Sequence, residues 1–206
     1  MLYLLLTASR LEKLLVCEEA NMNHFHRYGY YLLSDFFTQE EVDGMYKADL
    51  AKDNLTISEI YKTAQVRLEG LLDTDLLPNF YQRDLYRDNE VEEERVETAP
   101  CEITLTFTVA NNSNNWPIAL NTSKGIKYIS TDPGDALIYK ACDIPSSRVR
   151  NTFNDMQIQY NMFWNDVNSE IGSYLRHFNQ EQRINMDFNL NEIRNQSGDK
   201  LPLWDN

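Results

Sequence analysis

Histidine side chains serve both as metal ligands and as proton carriers, and this chain has only three of them. His24 and His26 flank Phe25, whereas His177 lies far along the chain. Two histidines without further ligands at a fixed spacing form a weak metal motif. We therefore interpret His24 and His26 as polar surface side chains on either side of a buried Phe25, in preference to metal ligands.

A short acidic run offers carboxylate oxygens, which are the ligands that hard cations such as calcium prefer. Its members are Asp88, Glu90, Glu92, Glu93 and Glu94. The run lacks the ligand spacing of an EF-hand loop and contains no glycine, and runs of like charge are usually solvated. It therefore predicts a solvated turn in preference to a cation site.

The three cysteines, Cys17, Cys101 and Cys142, lie far apart in sequence. An odd number at low density is typical of reduced thiols in a cytosolic protein. Cys101 and Cys142 each lie at an end of a predicted strand, so we expect both to be small core residues.

The elements that must position these groups are mainly strands. Residues 103–109, with the sequence ITLTFTV, alternate apolar and threonine side chains. This period of two predicts a strand with one face in the core and the other towards solvent or a cavity. Several such short strands, separated by polar turns, predict a β-sandwich or a jelly roll. The further predicted strands lie within 30–33, 79–86, 116–120, 126–129, 136–139 and 156–164.

Two amphipathic helices are predicted after the first strand. A capping box at 38–41 opens a helix that should run to about Leu50, and a second box at 56–59 opens a helix that should end near Asp73. The two helices should support one face of a sheet, which predicts an α+β domain.

Four blocks of the chain resemble, in the same order, the iron(II)- and 2-oxoglutarate-dependent oxygenases of the prolyl-hydroxylase-like type. The resemblance covers roughly residues 28 to 165, and it implies a double-stranded β-helix, or jelly roll, with supporting N-terminal helices. The blocks are GYYLLSDFFTQEEVDGMY (29–46), LLPNFYQRDLYRDNEV with CEITLTF (76–107), DPGDALIYKACDIPSSR (132–148) and MQIQYNMFW (156–164).

Members of that family hold iron with two histidines and one carboxylate, which leave positions open for 2-oxoglutarate and oxygen. The resemblance places these three ligands at Arg95, Glu97 and Ser146. Arg95 is a permanent cation without a lone pair, and Ser146 is a poor ligand for iron. Since both histidines are missing, we expect the three positions to be vestigial, with no metal and no other cofactor.

Arg148 follows the position of the third ligand. Because a basic residue binds the 2-oxoglutarate carboxylate in active members, the resemblance makes Arg148 the nearest candidate for a remnant of that site; a surface arginine without a ligand is the alternative. We also expect Arg95 and Glu97 to pair with each other, or with groups near Ser146, in the space left by iron. On that view, a Glu97→Gln change would leave a buried Arg95 unpaired and destabilise the fold.

The resemblance divides the chain into an N-terminal extension (1–22), an oxygenase-like domain (23–165) and a polar C-terminal extension (166–206). Leucines at a helical spacing within 5–15 predict an amphipathic helix, which packs either on its own domain or on a neighbouring subunit. The apolar run 2–6 is too short to span a membrane, and no basic residue precedes it as in a secretory signal. The C-terminal extension has so few apolar residues that we expect a partner chain to hold it.

The chain of 206 residues carries a net charge of -13, which disfavours binding to nucleic acid and to anionic membranes. We therefore predict a non-catalytic protein of the oxygenase fold that acts as a structural or assembly component, in the cytoplasm or in a viral particle. Protein partners or further copies of the chain would bind through the two extensions. The alternatives are an active hydroxylase with an atypical metal site and a module that binds a 2-oxoacid or a metal without turnover.

Overall fold

The computed structural model describes residues 24–87, 91–111, 116–148 and 156–186 of the chain. Nine strands form two antiparallel sheets within these residues, and helices cover one sheet, so the predicted α+β class is confirmed. The strands are β1 (Tyr30–Leu33), β2 (Leu76–Tyr86), β3 (Glu92–Arg95), β4 (Ile103–Asn111), β5 (Ile118–Thr122), β6 (Gly125–Ile129), β7 (Ala136–Lys140), β8 (Ser146–Arg148) and β9 (Gln157–Asp166). The helices are α1 (Gln39–Ala51), α2 (Asn54–Leu72), α3 (Glu170–Leu175) and α4 (Gln180–Ile184), with a 3₁₀ turn at Ala99–Cys101. No helix in this part of the chain is long and apolar enough to span a bilayer.

The larger sheet has the strand order β1-β7-β4-β9-β2, and the smaller sheet has the order β3-β8-β5-β6. Strands that follow one another along the chain therefore alternate between the two sheets at several points. Each such crossing brings side chains from distant parts of the sequence into the space between the sheets.

The alternation within β4 separates two different interiors. Ile103, Leu105 and Phe107 belong to the main apolar core, which also includes residues of α1 and α2 such as Met45 and Leu68. The threonines at 104, 106 and 108 are buried as well. They lie on the opposite face of the strand, because side chains alternate between the faces of a sheet.

Capping groups set where the first two helices begin. The predicted capping box opens α1: the Thr38 hydroxyl accepts from the backbone N–H of Glu41, and the Glu41 carboxylate accepts from the N–H of Thr38. The predicted start of α2 at 56–59 was wrong, because the Asp53 carboxylate accepts from the N–H groups of Leu55 and Thr56 and starts the helix at Asn54.

The second half of the acidic run forms a strand, whereas its charge predicted a turn. Residues 88–90 lie outside the described residues, but Glu92–Arg95 is strand β3. It pairs with β8, so that Glu92 lies opposite Arg148 and Arg95 lies opposite Ser146. Cross-strand pairing with opposite charge stabilises this strand despite the low β-propensity of glutamate.

The first part of the C-terminal extension packs on its own domain. Ile171 and Leu175 of α3 are buried against Ala99 and Cys142. Arg183 of α4 is also buried, and it donates to the side-chain oxygen of Asn79 and to the carbonyls of Pro78 and Phe178. The expectation that this extension buries too little on its own domain was therefore wrong for residues 166–186. Residues 1–23 and 187–206, where the rest of the two extensions falls, lie outside the described residues.

Candidate functional site

A cavity of about 150 Å³ lies between the two sheets, enough room for about five water molecules. Residues of β2 and β9 form one wall, and residues of β3 and β8 face them. Most of the lining side chains are polar or charged. They include Gln82, Asp84, Glu92, Arg95, Glu97, Ser146, Arg148, Gln159 and Asn161, together with the aromatic residues Phe80, Tyr86, Tyr139 and Phe163.

All four residues that the sequence singled out, Arg95, Glu97, Ser146 and Arg148, line this cavity. The pairing of β3 with β8 brings them together from two separate parts of the chain. Their origin in a metal site stays a prediction, but their convergence on one cavity is a property of the structure.

Arg95 lies at the mouth of the cavity. Its Nε lies 3.2 Å from Oε1 of Glu97, so the predicted contact is present, and its Nη2 lies 3.0 Å from Oε1 of Glu92. The expectation that Arg95 is buried was wrong, because 56% of its side chain is exposed. Arg95 is the last residue of β3, which is an edge strand, so its long side chain reaches solvent.

Arg148 is the buried cation of the site, with 3% of its side chain exposed. The alternative of a surface arginine was therefore wrong. Its Nη1 donates to the carbonyl of Trp116 at 2.6 Å, and its Nη2 donates to the amide oxygen of Gln159. The guanidinium carbon lies 4.8 Å from the ring centre of Tyr86 and 5.5 Å from that of Trp116, within the range of cation–π attraction.

Glu92 bridges the two arginines. Its second carboxylate oxygen, Oε2, lies 3.7 Å from Nε of Arg148, which is too long for a hydrogen bond. That Nε has no hydrogen-bond partner within the described part of the chain. Glu92 and Glu97 therefore pair with the guanidinium groups of Arg95 and Arg148. A third carboxylate at the cavity, Asp84, accepts from the side-chain amides of Gln82 and Asn161.

Sequence reasoning missed Glu92 because it treated the acidic run as a solvated turn. Alternation within the run could not have found it, because the register of β3 against β8 shifts between Glu92 and Arg95, so that both line the cavity although they are three residues apart. Glu93 and Glu94 are exposed, whereas Glu92 is partly buried.

A hydrogen-bonded network of side chains on β4 and β9 holds Arg148 in place. Nε2 of Gln159 donates to the hydroxyl of Thr106, which leaves the amide oxygen of Gln159 to accept from Arg148. The side chain of Gln157 donates to Thr108 at 2.9 Å. The threonine face of β4 therefore fixes the orientation of the amides that hold the arginine.

Two further ionisable groups at the site, Tyr139 and Cys101, are held in their neutral forms. The Tyr139 hydroxyl is hydrogen-bonded to Ser146, and burial raises the pKa of Tyr139 well above its ordinary value. Burial likewise raises the pKa of Cys101 to about 12, so that this thiol is protonated and a poor nucleophile. As predicted, Cys101 and Cys142 are buried.

The donor set at the predicted metal positions does not fit iron. It consists of a guanidinium, a carboxylate paired with it and a hydroxyl bound to a tyrosine, and two cations would repel a divalent metal. The three histidines are all in the described residues, and none lines the cavity. His26 is exposed beside the buried Phe25, as predicted, and the ring of His24 contacts those of Tyr28 and Tyr30. Over the described ranges no three His, Cys, Asp or Glu side chains are grouped so that they could hold a metal.

No protein-family model and no curated protein sequence matches the chain. Several solved structures, however, are similar to it. The non-haem α-ketoglutarate-dependent epimerase SnoN from nogalamycin biosynthesis superposes with a TM-score of 0.64 at 10% identity, over 74% of this chain and 84% of SnoN. A prolyl-4-hydroxylase from Pseudomonas putida gives 0.56 at 9% identity, over 71% and 93%. HygX from Streptomyces hygroscopicus, with nickel and 2-oxoglutarate bound, gives 0.60 at 7% identity, over 72% and 86%.

These similarities concern the fold. The chain has the jelly-roll fold of the iron- and 2-oxoglutarate-dependent oxygenases, as the sequence resemblance predicted. At identities this low, the similarity carries no information about activity, and the chemistry of the cavity must be argued from its own residues.

Proposed function

We propose that this chain is a non-catalytic protein of the oxygenase fold and that it acts as a structural or assembly component. One observation carries the proposal: in the cavity that would hold iron, Glu92 and Glu97 are already paired with the guanidinium groups of Arg95 and Arg148. The two arginines supply no lone pair for a metal, and each already has a carboxylate partner.

Because Arg148 is buried, breaking its ion pair with Glu92 should be energetically costly. Removing one partner of a buried ion pair leaves an uncompensated charge, which is strongly destabilising. A metal that recruited Glu92 would leave Arg148 without its carboxylate, and it would itself lie next to the guanidinium. The cavity is therefore stable with these ion pairs intact, and it is a poor site for a divalent ion.

The test is to load the purified full chain with iron(II) under anaerobic conditions, and then to measure its metal content and its consumption of 2-oxoglutarate after oxygen is admitted. We expect no stoichiometric iron and no turnover above that of a heat-inactivated sample. Stoichiometric iron together with oxygen-dependent loss of 2-oxoglutarate would overturn the proposal in favour of a hydroxylase with an atypical site.

A second candidate function, binding of a 2-oxoacid without turnover, is favoured by the free Nε of Arg148 at the 150 Å³ cavity. A ligand carboxylate could accept from this group only in competition with Glu92, 3.7 Å away. Calorimetric titration with 2-oxoglutarate distinguishes the two functions. A Kd below about 100 μM, corresponding to roughly 5.5 kcal/mol, that is lost in Arg148→Met would favour the binding module.

The assembly role further proposes that the C-terminal extension, 166–206, contacts a protein partner or other copies of the chain, in the cytoplasm or in a viral particle. Within 166–186, α3 and α4 already pack on the domain, so their contribution would come from their outer faces. Native mass measurement of the full chain tests self-association, and a single-copy mass at all concentrations would leave only a different protein as the partner.

A further inference from the structure

Strand β6 is the least covered strand of the domain. It is the edge of the smaller sheet, and every one of its residues except Ile129 is exposed. Two large apolar side chains, Ile126 and Tyr128, are 53% and 60% exposed. Because they are two residues apart on a strand, they lie on the same face of the sheet. Exposed apolar edge strands are sites of association unless something covers them.

The charges of this hairpin have the opposite sign to those of the whole protein. Between Ile118 and Thr131 the only charged residues are Lys124 and Lys127, in a chain of net charge -13. Lys127 alternates with Ile126 and Tyr128 and lies on the other face of β6, opposite Leu120. The outer face therefore offers two apolar side chains, with the cation of Lys124 in the adjoining turn.

The chain enters the described fold beside this hairpin. Residues 24–28 are helical, and the Tyr28 ring centre lies 3.9 Å from Nζ of Lys124. The rings of His24 and Tyr28 lie 4.5 Å apart, and Phe25 is buried, so this helical turn is fixed against the domain. The segment before His24 consequently starts next to the turn between β5 and β6.

That segment has the composition needed to cover the hairpin. Its leucines include those of the run 2–6 and the helically spaced Leu11, Leu14 and Leu15, and Glu18 and Glu19 come shortly before His24. An extended chain spans roughly 3.3 Å per residue and a helix about 1.5 Å per residue, so both glutamates are within reach of Lys124 in either conformation.

We propose that residues 1–23 of the same chain dock on the outer face of β6. The leucines cover Ile126 and Tyr128, and the glutamates lie near the cation of Lys124. This contact covers the exposed apolar side chains of the edge strand, and it gives the apolar N-terminal segment a place to bury its leucines.

Hydrogen–deuterium exchange of the full chain, followed by mass spectrometry of peptides, tests the docking. The variant replaces both apolar side chains of β6, as Ile126→Asp with Tyr128→Asp. The matched control is Leu55→Asp with Val66→Asp on α2, where the two side chains are 72% and 69% exposed. We expect amides in 2–16 to exchange at least tenfold faster in the β6 variant than in the wild type or the control.

Exchange in 103–109 serves as the internal check that each variant is folded. Fast exchange of 2–16 already in the wild type, or an equal response in both variants, would overturn the proposal. The reciprocal variant, Leu11→Asp with Leu14→Asp, should expose β6, so that amides in 125–129 exchange faster.

The native mass separates docking within one chain from docking between two. A single-copy mass together with protection of 2–16 supports the proposal. A two-copy mass that falls to one copy in the β6 variant would show that the segment of a second copy occupies β6, which overturns docking within the chain.

Discussion

The larger sheet has two faces that are both buried but chemically opposite. On the helix side, Leu105 and Phe107 pack with Met45, Leu68 and Trp164 in one apolar core. On the cavity side, threonine, glutamine and arginine side chains form a hydrogen-bonded network around an open space. The stability of the first face depends on how well the side chains fill space. The stability of the second face depends on whether each donor, acceptor and charge has a partner.

This difference explains how a fold can keep its shape when the chemistry of its cavity changes. The close-packed face contains the apolar area that stabilises the domain, and it contacts none of the four charged residues. Substitutions at the cavity are felt locally, provided that each buried polar group keeps a partner. The predictions below separate the two faces, beginning with the change that should cost most.

Truncation on the helix side should have the largest effect. Phe107 is fully buried against Phe37 and Tyr160, so Phe107→Ala leaves a cavity and should cost about 3–5 kcal/mol of unfolding free energy. Urea denaturation measures the change. The neighbouring Thr106→Ser, on the cavity face, keeps the hydroxyl that Gln159 uses and should cost less than about 1 kcal/mol. Equal costs would mean that the two faces do not differ in the way proposed.

Removing the bridging carboxylate should cost less than a core truncation but more than a surface change. Glu92→Gln leaves the buried Arg148 without its charge partner, and we expect a loss of about 1–3 kcal/mol, since Glu92 is itself partly exposed. Glu97→Gln is the matched control, because its partner Arg95 is exposed; it should cost at most about 1 kcal/mol. If Glu97→Gln proved the more damaging, the original expectation of a buried Arg95 pair would be restored.

Glu102, which directly precedes β4, allows the pH dependence of stability to be tested. Burial raises the pKa of Glu102 to about 7, although its carboxylate accepts from Ser169 and Asn165. Because the folded pKa is above the unfolded value of 4.5, the folded state holds this proton more tightly. Its contribution to stability is complete below about pH 4.5 and is lost as the pH rises towards 7.

Glu102→Gln should therefore remove this dependence. The amide oxygen can still accept from Ser169, and no charge has to be buried, so the variant should be about 1–2 kcal/mol more stable than the wild type at pH 8 and similar at pH 4.5. Chemical denaturation at several pH values checks the slope. A variant that is destabilised equally at all pH values would show that the carboxylate is a structural acceptor whose ionisation has little influence.

The parts of this structure that were predicted correctly depend on local patterns. The alternation of ITLTFTV fixes β4, and the Thr38 capping box fixes the start of α1. The parts that were missed depend on distant partners. Strand β3 has charged residues of low β-propensity, and its pairing with β8 stabilises it. Arg183 is buried because it donates to backbone carbonyls, and no sequence pattern reveals these partners.

The candidate site follows the same rule. Its four positions were found from motifs, but the burial of Arg148 was not, because it depends on Tyr86 and Trp116, which flank the guanidinium from other segments. The role of Glu92 was hidden for the same reason. Sequence order identified the positions, and the pairing of charges among them required the register of β3 against β8.

Only a small effect on stability should accompany the change that alters the chemistry most. Arg95 and Ser146 are direct partners across β3 and β8, and antiparallel partners have Cα atoms about 4.5–5.5 Å apart. Arg95→His with Ser146→His would therefore place two imidazoles beside Glu97, the ligand set that suits iron and nickel. We expect nickel binding by calorimetry in the double variant, weaker binding in either single variant and none in the wild type, with a change in unfolding free energy near 1 kcal/mol. Binding as tight in Ser146→His alone would show that an imidazole at position 95 adds no ligand, and that Arg95 does not share a metal position with Glu97 and Ser146.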